Sequence, residues 1–243
     1  MFLNIILFVG LLSYQNFSVP DGDTIINRSI EFHDPENNWP ALQARLNFSE
    51  TRPNGNTRYT SYDIDNRNRS FCITREMDGN PVQRHFVADS CYYTINERNA
   101  FSEKEIKQFK LNAEYSNLLK NYYLYLWGLP MKLKDPGTHI DQTVKQVAFN
   151  GKESFEVTVS YDKDVGSDLW HFYFDPTTYE LVGYKFFHDN GNGKGEYVIL
   201  SDLQSVTGLQ IPKSRSWYTA QDSSFLGTDI LTSVAKLSQK SLR

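Results

Sequence analysis

Ser154-Phe155-Glu156-Val157-Thr158-Val159-Ser160-Tyr161 alternates polar and apolar side chains at every step. Successive residues of an extended strand point to opposite faces, so Phe155, Val157, Val159 and Tyr161 line one face and the polar residues the other. A strand of this kind belongs to an antiparallel sheet with one buried face and one wet face.

Working outward, the same texture recurs on both sides. Toward the C-terminus, Leu169 to Phe174, Leu181 to His188, Glu196 to Leu203, Leu209 to Tyr218 and Leu226 to Leu237 read as strands. Turns separate them at Asp175-Pro176, Asp189 to Gly195, Thr207-Gly208 and Asp222 to Ser224. Toward the N-terminus, Leu42, Ala44, Leu46 and Phe48 alternate with polar residues. Tyr59 to Ile64, Phe71 to Met77, Val82 to Val87 and Tyr92 to Ile95 follow, with turns at Pro53 to Asn56 and Asp78 to Pro81. Regular short strands of this kind give an antiparallel meander of about eleven strands.

Two helical segments interrupt the pattern. Asp23 to Phe32 reads as a short helix capped by Asp23, with Ile26 and Ile30 on one face, and His33-Asp34-Pro35 ends it. In the centre, Ser102 and Glu105 form a capping box, with Phe101 and Ile106 placed to staple across it. Helical text continues through Leu111, Tyr115, Leu118, Leu119, Tyr122 and Leu126, with Asn112 as a second cap and Pro130 as the stop. Asn121 to Leu129 is apolar nearly all round and therefore asks to be buried. The expected fold is mainly β (α+β): a strongly curved antiparallel sheet, an open half-barrel, with helices packed on its concave side.

With 40% apolar residues among 243, the chain has material for one substantial core. The net charge of −4 comes without any block of Lys or Arg, which argues against a nucleic-acid surface. Phe2 to Leu12 is apolar apart from Asn4 and Gly10. That run is too short to span a bilayer and suits the core of a signal peptide, although no basic residue precedes it. Residues 1–18 are accordingly expected to be a signal peptide and 19–243 a single domain. Cys72 is the first cysteine, so no N-terminal cysteine is offered for lipid anchoring. Export would place Cys72 and Cys91 in an oxidising compartment, where a disulfide and two separately buried thiols both remain open.

No motif for catalysis appears: there is no nucleophile elbow, phosphate loop, dinucleotide fingerprint or paired-histidine metal motif. Asp162, Asp164 and Asp168 with Gly166 make an acidic loop, but Ser167 and Tyr173 occupy the positions where a calcium loop needs Gly and a carboxylate, so a solvated turn is the simpler reading. His171 and His188, with Asp202, are the best zinc arrangement the strands offer, and ordinary strand histidines explain them as well. Asn27-Arg28-Ser29, Asn47-Phe48-Ser49 and Asn68-Arg69-Ser70 match the glycosylation sequon by chance. Neither a cofactor nor a metal is called for.

Two resemblances bear on function. Asn121-Tyr122-Tyr123-Leu124-Tyr125-Leu126-Trp127-Gly128-Leu129-Pro130 with the following Met131 to Gly137, Trp170-His171-Phe172-Tyr173-Phe174-Asp175-Pro176, Leu226-Gly227-Thr228-Asp229-Ile230-Leu231 and His33-Asp34-Pro35 together resemble an uncharacterised family of secreted Bacteroidota envelope proteins. More faintly, Phe174-Asp175-Pro176, the strand through Tyr184, Gly195-Glu196-Tyr197, Ser201-Asp202-Leu203 and Val206-Thr207-Gly208-Leu209-Gln210-Ile211-Pro212 resemble the LolA/LolB-type carriers of outer-membrane lipoproteins. That second resemblance implies an apolar cavity between sheet and helices. The residues expected to bind the ligand there are Trp127 and Tyr123 from the helix, with Trp170, Phe172, Phe174, Tyr184, Phe186 and Tyr197 from the strands. The expected function is non-enzymatic binding or carriage of an apolar, lipid-like ligand in the periplasm or cell envelope, with an envelope protein as a further partner. An enzyme of hydrolase type, its polar site in the same cavity, is the alternative.

Overall fold

The computed structural model describes residues 19–88 and 90–237; the expected signal segment, residues 1–18, lies outside them. The chain runs α1 (Gly22–His33), β1 (Gln43–Thr51), β2 (Thr57–Asp65), β3 (Ser70–Met77), β4 (Asn80–Val87), β5 (Ser90–Ile95), α2 (Glu103–Gln108) and α3 (Ala113–Trp127). It continues with β6 (Thr138–Ile140), β7 (Lys145–Phe149), β8 (Lys152–Tyr161), β9 (Leu169–Phe174), β10 (Leu181–Phe187), β11 (Gly195–Val206), β12 (Leu209–Thr219) and β13 (Phe225–Lys236).

The 13 strands of the described residues form one sheet in the order β5-β4-β3-β2-β1-β13-β12-β11-β10-β9-β8-β6, with β7 also paired to β8. The two strand-rich halves join where β1 pairs antiparallel with β13. The sheet does not close, because β5 and β6 stand at opposite ends of the path. Tight turns set the register: Asp78-Gly79, Asn150-Gly151 and Thr207-Gly208 each link two strands with both residues at positive φ, the backbone that matches the strand twist of a two-residue hairpin.

The alternation read from the sequence is the core. Ala44, Leu46 and Phe48 on β1 and Phe155, Val157 and Val159 on β8 are all buried on the concave face. They are joined by Trp170, Phe172 and Phe174 on β9 and by Tyr184 and Phe186 on β10. Cross-strand pairs Val157↔Phe172↔Tyr184↔Val198 and Val159↔Trp170↔Phe186 put these rows side by side. α3 lies over them: its Trp127 stacks on Phe48 with ring centroids 4.2 Å apart, and Tyr125 meets Trp170 edge-on at 5.3 Å.

Local details refine the sequence reading. α1 is capped by Asp21, whose side chain accepts from the Thr24 N–H, and not by Asp23, which sits in the first turn. The Ser102–Glu105 capping box forms in full, and Asn112 caps α3 through the Tyr115 N–H. Ile106 remains exposed while half-buried Phe101 packs beside Val82, Ile95, Phe109 and Leu111, so Phe101 packs without its expected staple partner.

β6 and β7 were not expected from the sequence. β7 places Phe149 face to face on Tyr173, centroids 4.0 Å apart, on the outer side of the sheet. Gly183 makes room for that stack: a Cβ there would lie 2.3 Å from the Phe149 ring and 2.6 Å from the Val198 carbonyl oxygen. Gly183→Ala is therefore expected to cost about 1–3 kcal/mol in urea unfolding, since the carbonyl, unlike a side chain, has no other position to take.

The cysteines part company. Cys72 lies on β3 and Cys91 on β5, with β4 between them. Cys72 pairs with His85, whereas Cys91 pairs with the neighbouring Phe86, so the two thiols leave the sheet on opposite faces. Two strand spacings come to about 10 Å, beyond the roughly 7 Å that a disulfide spans between Cα atoms. Both thiols are free, and burial pushes that of Cys72 up to about 12.

Candidate functional site

Where α3 crosses the concave face, it seals part of it and leaves the rest open. Trp127, Phe172, Phe174, Tyr184 and Phe186 are on the sealed side, none more than 4% exposed. They form a packed floor: Trp170 stacks on Phe186 at 4.5 Å, and Tyr184 meets Trp217 edge-on at 6.2 Å. Open space begins at the flank of the helix.

The first opening is a cleft of about 470 Å³ between α3 and strands β8 and β9. Tyr122, Leu124 and Tyr125 from the helix, Tyr161 and Trp170 from the strands, and Val165 from the β8–β9 loop line it. The Tyr125 and Tyr161 hydroxyls hydrogen-bond to each other across its lining. Burial raises both phenols above their ordinary range, so both stay neutral and one donates to the other. Its rim is polar: Lys132 paired with Asp135, then Asp164 and Asp168.

A second cavity, about 270 Å³, shares Tyr122 with the first. Arg52, Arg58, Tyr123, Glu196, Trp217, Leu226 and Asp229 complete its wall. Asp229 accepts from the Trp217 indole N–H at 2.8 Å. Burial, reinforced by the charge of Glu50, raises the Asp229 carboxyl to about 6 against that hydrogen bond and against Arg215. Glu196 is raised in the same direction by burial. Arg58 continues into a third depression of about 480 Å³ with Arg75, Arg84 and Tyr115. Beneath these side chains, buried Glu50 gathers Arg58, Arg75 and the Tyr62 hydroxyl, while Arg84 donates to the Phe109 carbonyl at 2.6 Å.

The structure thus distributes the residues expected to bind ligand. Trp170 lines the cleft and Tyr123 the second cavity. Tyr197 faces the other way, into a depression of about 330 Å³ on the outer side of the sheet with Phe149 and Tyr173. Of the residues the sequence did not single out, Tyr161, Trp217, Glu196 and Asp229 line open space. Asp229 shares its alternation with the core residue Leu231, a signal that a carboxylate would face inward.

The polar clusters weighed from the sequence resolve into pairs. His171 meets Glu156 at 3.3 Å, while His188 meets Asp168 at 3.1 Å, so the two histidines do not converge. Asp162 is held by His139 at 2.6 Å. Among the described residues no group of three or more His, Cys, Asp or Glu side chains is arranged to hold a metal ion.

A model of the family of unknown function DUF6503 matches residues 2–233. Among solved structures, the chain is similar to a LolA superfamily protein from Nitrosomonas europaea, with a TM-score of 0.53 at 10% identity over 93% of this chain and 98% of that one. It is also similar to a putative outer membrane lipoprotein-sorting protein domain from Vibrio parahaemolyticus, with a TM-score of 0.52 at 11% identity over 91% and 96% of the two chains. At such identities the likeness is one of fold, and it agrees with the half-barrel expected from the alternating strands. No curated protein matches the sequence.

Proposed function

We propose that this chain, which belongs to the DUF6503 family of unknown function, binds and carries an apolar, lipid-like ligand in the bacterial cell envelope. The observation that carries the reading is the cleft beside α3. Its roughly 470 Å³ lies within the usual range for small-molecule sites, and aromatic and aliphatic faces open onto it. The fold shared with a lipoprotein-sorting domain supports the same reading and the same compartment. Trp170 and Tyr123 would touch the ligand; Trp127, Phe172, Phe174, Tyr184 and Phe186 would hold the floor beneath it. The raised Asp229 beside Glu196 is what favours the alternative, an enzyme of hydrolase type.

Val165 provides the test, because it is 54% exposed at the mouth of the cleft and its replacement disturbs no core. Val165→Arg is expected to weaken binding of a pyrene-labelled hexadecanoic acid by about tenfold or more, while unfolding shifts by no more than about 0.5 kcal/mol. Leu118→Arg, on the outer side of the helix at 63% exposure, should leave binding unchanged. If the unmutated protein binds no apolar probe, carriage is the wrong function and partner binding replaces it. Mass spectrometry after incubation with the methyl ester of the same probe separates carriage, which returns the ester intact, from hydrolysis, which releases the acid and methanol.

A further inference from the structure

The second cavity has a chemistry that an apolar ligand alone does not use. Four charged groups line it, two carboxylates and two guanidiniums, in a volume of about 270 Å³. They are largely unspent on one another. The Glu196 carboxylate makes no hydrogen bond or ion pair among the described residues, and Asp229 uses one oxygen on the Trp217 indole, leaving the other free. Arg58 is tied to Glu50, while the Arg52 guanidinium closes on neither Glu196 nor Asp229. A gap between opposite charges that do not meet is a place for a group carrying both signs.

The rings beside the carboxylates fit this. Tyr122 and Tyr123 meet edge to face, centroids 5.2 Å apart, and Tyr122 lies 6.4 Å from the Trp217 ring. Aromatic faces attract a cation, most strongly where water is excluded, and two carboxylates behind them supply acceptors for its N–H groups. Across the cavity, guanidiniums match phosphate oxygens in geometry as well as charge. A head group with only negative charge would be pressed against Glu196 and Asp229; one with only positive charge would face Arg52 and Arg58.

We propose that this cavity holds the head group of a zwitterionic amphiphile, with its ammonium against Glu196, Asp229 and the Tyr122, Tyr123 and Trp217 rings and its phosphate at Arg52 and Arg58. The inference rests on the carrier reading: Tyr122 belongs to both walls, so the cavity lies next to the apolar cleft that would take the tail.

Lysophosphatidylethanolamine and lysophosphatidylglycerol with the same acyl chain, both below their micellar concentrations, test it by tryptophan fluorescence titration. The unmutated protein should bind the ethanolamine lipid tighter by about tenfold. Glu196→Gln with Asp229→Asn should bring the two lipids to within about twofold by removing the carboxylates while keeping an acceptor for the Trp217 N–H. If the double variant does not fold, Glu196→Gln alone, at a half-buried position, should still narrow the preference. Equal affinities in the unmutated protein, or a preference untouched by these substitutions, overturn the head-group assignment while leaving carriage standing. Failure of both lysolipids and of the pyrene-labelled fatty acid overturns carriage itself, and the assignment with it. Free phosphoethanolamine binding as tightly as the lysolipid would make this a site for a soluble zwitterion, and the amphiphile assignment falls.

Discussion

Trp127→Ala is expected to lower the free energy of unfolding by about 3–5 kcal/mol, the range for deleting a fully packed aromatic side chain. Trp127 is 1% exposed at the C-terminal end of α3. Its indole stacks on Phe48 at 4.2 Å, tilts against Tyr62 at 5.3 Å and lies 6.0 Å from the Tyr123 ring. The Arg215 guanidinium covers another part of it, 4.1 Å from its centroid. Truncation would leave a cavity that no neighbour can collapse into, and Arg215, 2% exposed, would lose the ring that offsets part of its burial.

Trp127→Phe separates packing from polarity. Among the described residues the indole N–H has no hydrogen-bond partner, so losing it costs nothing in that respect. Phenylalanine should therefore cost less than about 1.5 kcal/mol. Urea unfolding of both variants decides what α3 is. A large loss for alanine makes the helix a fixed wall of the cleft. A loss below about 1 kcal/mol would mean that the helix is loosely docked and that the cleft is the edge of a larger opening beneath it.

How much of this was legible beforehand depends on what a period of two can say. Phe155, Val157 and Val159 announced a buried face, and the β1 and β9 rows did the same, so the sheet and its concave side followed. β6 and β7 escaped because runs of three and five residues, none of them buried, are too short for an alternation to be read. The Asp21 cap was missed because Asp23 offers the same chemistry two residues on, and only the backbone angles choose between them. Alternation also names the face without saying what covers it. It placed Trp170 and Phe172 together, yet α3 seals Phe172 and leaves Trp170 at the cleft. Glu50, Arg75, Arg215 and Asp229 were invisible for a related reason: they occupy inward positions that a hydrophobic pattern reads as breaks. A charged residue in phase with a buried row is itself a signal, and in this chain it leads to the second cavity.

The acid side of the stability profile is expected to depend on His33. Its ring is fully buried at the end of α1. Nε2 accepts from the Leu181 N–H at 3.0 Å, so the proton of the neutral ring sits on Nδ1, which donates to the Gln210 carbonyl at 2.6 Å. One imidazole thereby ties α1 to β10 and β12, and Asp34 beside it accepts from the Asn38 and Trp39 N–H groups to hold the chain as it leaves the helix. Burial is the main force lowering the His33 pKa, to about 4 from 6.5, with Arg215 adding to it and the Gln210 bond opposing it. Protonating Nε2 would turn the Leu181 N–H against another N–H.

The sign follows from the direction of that shift. The unfolded chain binds the proton more readily, so this contribution is complete above about pH 6.5 and is lost as the pH falls toward 4. A shift of this size corresponds to about 3 kcal/mol. Asp229 acts in the opposite sense, because its raised carboxyl makes stability fall as the pH rises through about 6. His33→Gln isolates the histidine: it removes the titrating ring and leaves Asp229 unchanged. In urea unfolding, the advantage of the unmutated protein over this variant should shrink by about 3 kcal/mol between pH 7 and pH 4. An advantage that stays constant over that range would mean that His33 keeps an ordinary affinity for its proton, and that its two hydrogen bonds do not fix the ring as neutral.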